Sequence, residues 1–246
     1  MNSIQSPNEP TDLLRSQDIP LIRFPVVWHV GTMDVGQKRT GSQEGNALSV
    51  SRHPQAWSRI ARCSGSTCVE ITATTGRSLD FADILMIRFS PKHAGLRDAL
   101  TRQALQAGYL VPSTAFQWEY WDDEWGETRF MRFRTMAEAL SEAEELEGTV
   151  TPVEILTGTS TFCAAHKLDE DPTRDYRELA WMSVLQNACP DLHGVWWNEQ
   201  YDPAQYSAPR GGLFLDRIGL RLERKPLSEV PDSDEHLVDV DFEQGD

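Results

Sequence analysis

Short strand-like runs stand at both ends of this chain, and a helix, a hairpin and a second helix separate them. The runs are Val26-Val27-Trp28-His29-Val30, Gly45-Asn46-Ala47-Leu48-Ser49-Val50-Ser51 and Thr74 to Phe81 on one side, and Val150 to Phe162 and Gly194 to Glu199 on the other. In the middle, Leu96 to Leu105 has apolar residues at helical spacing and stops at Gly108, a suitable left-handed terminator. Ala115 to Trp121 and Thr128 to Arg134 flank the acidic turn Asp122 to Glu127 as a hairpin. Thr135 and Glu138 then stand at capping-box positions before a helix that runs from Met136 towards Gly148. This order predicts an α+β protein with a split, mostly antiparallel core assembled from 21–90 and 150–225 and interrupted by an inserted helix-hairpin-helix subdomain at 91–149. Asp171-Pro172-Thr173 is expected to open a further helix through Leu185, leading into the strand that begins at Gly194.

Composition narrows the setting. At 246 residues the chain can bury most of its unfolded surface in one large domain, or a domain with an insertion. Its four cysteines, Cys63, Cys68, Cys163 and Cys189, form no Cys-x-x-Cys pair and read as reduced thiols without a zinc framework. Residues 1–20 carry no basic, apolar leader and are expected to be flexible, and no apolar run approaches a membrane span. A cytoplasmic protein without a membrane partner is the expectation. Of the formal charge of −15, eight acidic residues and no basic ones fall in 229–246, leaving −7 on the rest. That composition predicts an acidic, flexible tail over 226–246, and the overall balance argues against broad capture of nucleic acid.

Chemistry gathers where the strand runs end. A strand entering at Gly194 puts Trp196 and Asn198 on one face and Trp197 and Glu199 on the other. Glu199 then stands beside an indole, which suits a carboxylate that grips a ligand hydroxyl or stabilises developing positive charge. A half-buried strand with a solvated end accounts for the same residues. The first run ends in His29-Val30-Gly31-Thr32, and the second carries Ser49 before His53-Pro54 opens a helix with Trp57, Ile60 and Ala61 on one side. A histidine in such a place also serves as a buried hydrogen-bonding spacer. Arg210, in Ser207-Ala208-Pro209-Arg210-Gly211-Gly212, either meets a phosphate or belongs to an ordinary turn. Glu70, Glu154, His166 and His193 are rival groups with fewer small polar and aromatic neighbours.

Taken in order, these pieces resemble the ADP-ribosyltransferase superfamily, whose members carry a His or Arg on a first strand, a Tyr or Ser on a second and a Glu on a later one. The positions that match are His29, Ser49 and Glu199, and the glycine-led Gly45 to Ser51 strand is similar to the family's second strand. Val30 intervenes where the histidine branch has His-Gly-Thr, and Ser49 stands where that branch commonly has Tyr. The resemblance implies NAD as substrate, with His29, Gly31, Thr32, Ser49, Trp196, Trp197 and Arg210 forming its pocket and no metal.

The chemistry suits these residue types. Cleaving the nicotinamide–ribose bond passes through an oxocarbenium-like state, which calls for a carboxylate by the ribose and fixed hydrogen-bonding groups around it. The expected function is transfer of ADP-ribose to a macromolecule, protein or nucleic acid, by a toxin or phage-defence effector that an inhibitory protein partner restrains. Two alternatives stay open: an NAD glycohydrolase using the same pocket, and a cytosolic acidic interaction protein, such as an antitoxin, immunity factor or nucleic-acid mimic, that grips a basic partner with its hairpin.

Overall fold

The computed structural model describes residues 21–24, 26–30, 47–60, 67–73, 79–82, 94–123, 126–143, 148–190, 192–197, 210–214 and 220–230. Gly31, Thr32, Glu199, the segment 1–20 and the acidic residues beyond 230, on which several expectations rest, lie outside the described residues. The architecture is mixed α+β, as expected, with the strands almost all antiparallel. Among the described residues, no helix is long and apolar enough to cross a membrane.

The chain divides into two compact units. The first takes its described residues from 21–37, 46–96 and 185–246, the second mainly from 97–184. In the first unit the strands are β1 (Leu21–Phe24), β2 (Val27–Val30), β3 (Leu48–Ser51), β4 (Thr67–Ala73), β5 (Leu79–Ala82) and, in the last quarter of the sequence, three more. The sheet that they form with those late strands also receives helix α1 (Pro54–Ile60), which packs on β2. A separate set of elements in the second unit comprises helix α2 (Ala94–Gln106), strands β6 (Leu110–Asp122) and β7 (Glu127–Phe133), α3 (Met136–Ala143), β8 (Gly148–Gly158), α4 (Ser160–His166) and most of α5 (Arg177–Ala188). The late strands of the first unit are β9 (Gly194–Trp197), β10 (Arg210–Leu213) and β11 (Leu220–Pro226).

The first unit's eight strands run β1-β5-β9-β10-β3-β2-β4-β11, with only the β5–β9 pairing parallel. Strands from the two ends of the sequence therefore interleave: β9 and β10 separate β5 from β3. Gly211, in the middle of β10, makes that interleaving possible. A Cβ there would lie 2.5 Å from Cε3 of Trp196 and 2.4 Å from the Val195 carbonyl, so only glycine lets the indole lie across β10. On the opposite flank Trp28, Val30 and Val230 form a buried cluster with Val26, Trp57 and Leu227 against it.

Local chemistry sets the ends of the elements in the second unit. α2 terminates at Gly108, whose φ of 69° no side chain favours, and the Tyr109 amide returns to the Ala104 carbonyl. Thr135 and Glu138 close a reciprocal capping box at α3, with bonds of 3.0 and 3.2 Å. β6 pairs with β7 from Phe116–Phe133 to Asp122–Glu127, which forms the expected hairpin, and with β8 along almost its whole length.

That second pairing moves a boundary. Residues 150–158 were expected in the core, but β8 begins at Gly148 and belongs to the hairpin's sheet, and the second unit extends to 184 instead of closing at 149. Gly148, towards which the helix from Met136 was expected to run, starts β8 beneath Trp118, where a Cβ would lie 2.1 Å from the indole Nε1; residues 144–147 lie outside the described residues. The strand expected to continue to Phe162 ends at Gly158, because the Thr159 hydroxyl accepts the Phe162 amide and turns the chain into α4. Asp171-Pro172-Thr173 does not open α5 either. Asp171 spends its carboxylate on the amide and hydroxyl of Thr173, a closed local turn, and α5 starts at Arg177 with Asp175 accepting its amide at 3.0 Å. The tail expected to be flexible from 226 is packed as far as Val230: a short 3₁₀ turn covers Leu227–Glu229, and the Val230 carbonyl accepts the Gln55 side chain at 2.7 Å.

Candidate functional site

The sheet of the first unit brings together strands that sequence analysis had singled out. β2 carries His29, β3 carries Ser49 and β9 carries Trp196 and Trp197; in the sheet they follow one another as β2-β3-β10-β9. Their registers fix the rows. Trp28 opposes Ser51, Ser51 opposes Arg210, and Arg210 opposes Trp197; one row along, Val50 opposes Gly211 and Gly211 opposes Trp196.

His29 is the most enclosed of these groups. Only 2% exposed, it lies with its Nδ1 2.8 Å from the Ser49 carbonyl. A carbonyl only accepts, so Nδ1 carries the proton in this bond, which makes Nε2 the acceptor nitrogen of the neutral ring. The imidazole thus staples β2 to β3 beside their paired position, Trp28 with Ser51. Ser49 contributes its main chain to that staple. Alternation from the Trp28–Ser51 pair puts the Ser49 side chain on Trp28's side of the sheet and the imidazole on the other, so the two side chains do not converge.

Trp196 is buried across Gly211 and acts as a clamp between β9 and β10. Trp197 and Arg210 have their main chains paired in the sheet, and Gly31, Thr32 and Glu199 fall outside the described residues, Glu199 two positions past β9.

Sequence reasoning missed the turn that follows β3. The buried Ser51 hydroxyl accepts the His53 amide at 3.0 Å, His53 is itself buried, and Arg52 lies between them. Burial lowers the Arg52 guanidinium from its ordinary range, since a desolvated cation is disfavoured. In the β3–β10 ladder the Arg210 main chain stands opposite Ser51, the residue before Arg52. The signal was present as Ser51-Arg52-His53-Pro54, a run of polar groups between a strand and a proline-opened helix.

The rivals sit elsewhere. His166 and Ser183, in the second unit, are 3.2 Å apart, but the Ser183 hydroxyl also reaches the Leu179 carbonyl at 3.2 Å and the imidazole packs on Phe162 at 4.4 Å, a helix-packing arrangement. Glu154 is exposed on β8, and Glu70 is paired opposite Trp28 and Glu223 in the sheet. Among the described residues no three His, Cys, Asp or Glu side chains gather as a metal site, and Cys163 and Cys189 are free, buried thiols. Comparison with protein-family models, with curated proteins and with solved structures finds no match.

Chemically, the β2-β3-β10-β9 region offers a fixed imidazole, strand-end hydroxyls and an arginine made less hydrated by burial, next to a strand that leads towards a carboxylate two residues away. Because Ser49 and His29 project to opposite faces, the imidazole supports the sheet and Ser49 is the group placed to hydrogen-bond a sugar hydroxyl.

Proposed function

We propose that this chain is an ADP-ribosyltransferase that takes NAD as substrate and modifies a macromolecule. The observation that supports this reading is the adjacency of β2, β3, β10 and β9, which brings the strands that carry His29, Ser49 and Trp196–Trp197 together from distant parts of the sequence. In this reading Glu199 sits by the ribose and stabilises positive charge as the bond from C1′ to the nicotinamide nitrogen breaks. The bonding electrons leave with nicotinamide, a nucleophile of the acceptor bonds to C1′, and its proton passes to solvent. In the same reading Arg210 meets the diphosphate, Gly31 and Thr32 belong to the pocket, and Trp197 supplies the stacking wall, because Trp196 is committed to Gly211. His29, being enclosed, holds β2 and β3 in place beneath the nucleotide. A cytosolic toxin or phage-defence effector held inactive by a protein partner is the biology that follows.

The test is expression in a sensitive host with labelled NAD, comparing wild type with Glu199→Gln. Growth arrest and label on one class of macromolecule are expected, both lost in the variant, with turnover down by about 100-fold or more. Equal toxicity of the two forms would overturn catalysis, and free ADP-ribose without labelled product would assign a glycohydrolase. His29→Ala, which removes the staple between β2 and β3, is expected to lower the melting temperature and weaken NAD binding together; unchanged affinity removes His29 from the site.

A further inference from the structure

The hairpin end of the second unit leaves large apolar side chains in water. Trp121 is 60% exposed and Phe130 56%, and Met131, Met136 and Leu140 are also exposed. These five come from one stretch, 121–140, and register places three of them. Glu119 opposes Phe130 and Trp121 opposes Thr128, so Trp121 and Phe130 are diagonal neighbours on one face of the hairpin. β7 is an edge of its sheet, and consecutive Phe130 and Met131 project to its two sides. Met136 and Leu140, four residues apart, share a stripe of α3, which packs on the same strands. An edge strand flanked on both sides by exposed apolar groups is a surface suited to being covered.

Charge selects what covers it. Among the described residues of 119–143, Glu119, Asp122, Asp123, Glu138 and Glu142 stand against three arginines. Two of those arginines are engaged within the hairpin: Arg129 pairs with Asp122 at 3.4 Å, and Arg132 bonds Gln117 at 3.0 Å and stacks over Phe130. A field of this sign repels nucleic acid and anionic membranes. Methionines and aromatics adapt to varied apolar partners. We propose that β7 and α3 dock a cationic, amphipathic segment of a partner protein, apolar residues against Trp121, Phe130 and Met131 and Lys or Arg against the surrounding carboxylates. This surface is independent of the NAD reading.

The experiment is selection of a random peptide display library on the full-length chain, followed by titration of the recovered peptides. Enriched peptides are expected to be positively charged with apolar residues at helical or strand spacing. Their affinity should fall at least about tenfold in Trp121→Ser/Phe130→Ser, and steeply with salt. Both replaced side chains are largely exposed, so the variant should keep its melting temperature; Met136→Ser/Leu140→Ser on α3 is a second variant expected to show the same loss. No enrichment, enrichment of neutral or acidic peptides, affinity unchanged in both variants, or tighter binding of a single-stranded oligonucleotide would overturn the proposal.

Discussion

Gly211 shows how much of this sheet hangs on one residue. A methyl at that position meets a backbone carbonyl and an indole, both within 2.5 Å, and neither can retreat without breaking the β9–β10 pairing. Gly211→Ala is therefore expected to destabilise the first unit by about 1–3 kcal/mol, read as a lower melting temperature; an unchanged value would mean that Trp196 can swing aside. At this scale the sequence was partly legible. The residue types on the strands could be picked out, but whether His29 and Ser49 point the same way depends on which residues pair across β2 and β3, and period-two alternation inverts the answer with every one-residue slip. Trp196 was expected in the NAD pocket because nothing in a linear sequence shows that Gly211, on the following strand, will lie beneath its indole.

Single elements were legible where their signals are self-contained. The capping box of Thr135 and Glu138 and the stop at Gly108 involve residues within a few positions of each other, and both occur as expected. Asp171 misled for a related reason: its local bonds compete with a helix start instead of making one. Burial raises the Asp171 carboxyl, but the bonds from Thr173 and the charges of Arg134 and Arg174 outweigh it, so the group titrates below its ordinary value. A carboxylate lowered in the folded state stabilises above the ordinary aspartate pKa, about 4, and that contribution disappears as pH falls through the lowered value. Asp171→Asn should thus melt earlier than wild type near neutral pH, with the gap closing below about pH 4. A gap that is constant across pH would assign the effect to shape and not to charge.

The molecule as a whole rewards attention to its C-terminal end. Val230 and Leu227 close the cluster around Trp28, and Gln55 of α1 holds the Val230 carbonyl. Truncation after Val230 should leave the melting temperature within a degree or two, whereas truncation after Lys225 removes this cover and should lower it by several degrees, as expected for losing roughly 2–4 kcal/mol of apolar burial. Equal melting of the two truncations would show that the cluster contributes nothing. The boundary between the units was the least legible feature, because strand partners are chosen across long stretches of chain: β8 reads alone as a core strand, and only the length of its match to β6 assigns it to the hairpin.

The interleaved strand order also has a consequence for synthesis. When β3 has emerged from a ribosome, the strand that will lie against it, β10, is still more than 150 residues from being made, a delay on the order of ten seconds or longer at ordinary elongation rates. Until then β3 and β5 each present an open edge. A nascent chain of this design completes the sheet of its first unit only after β9, β10 and β11 have all emerged, so the early strands wait for partners encoded far downstream.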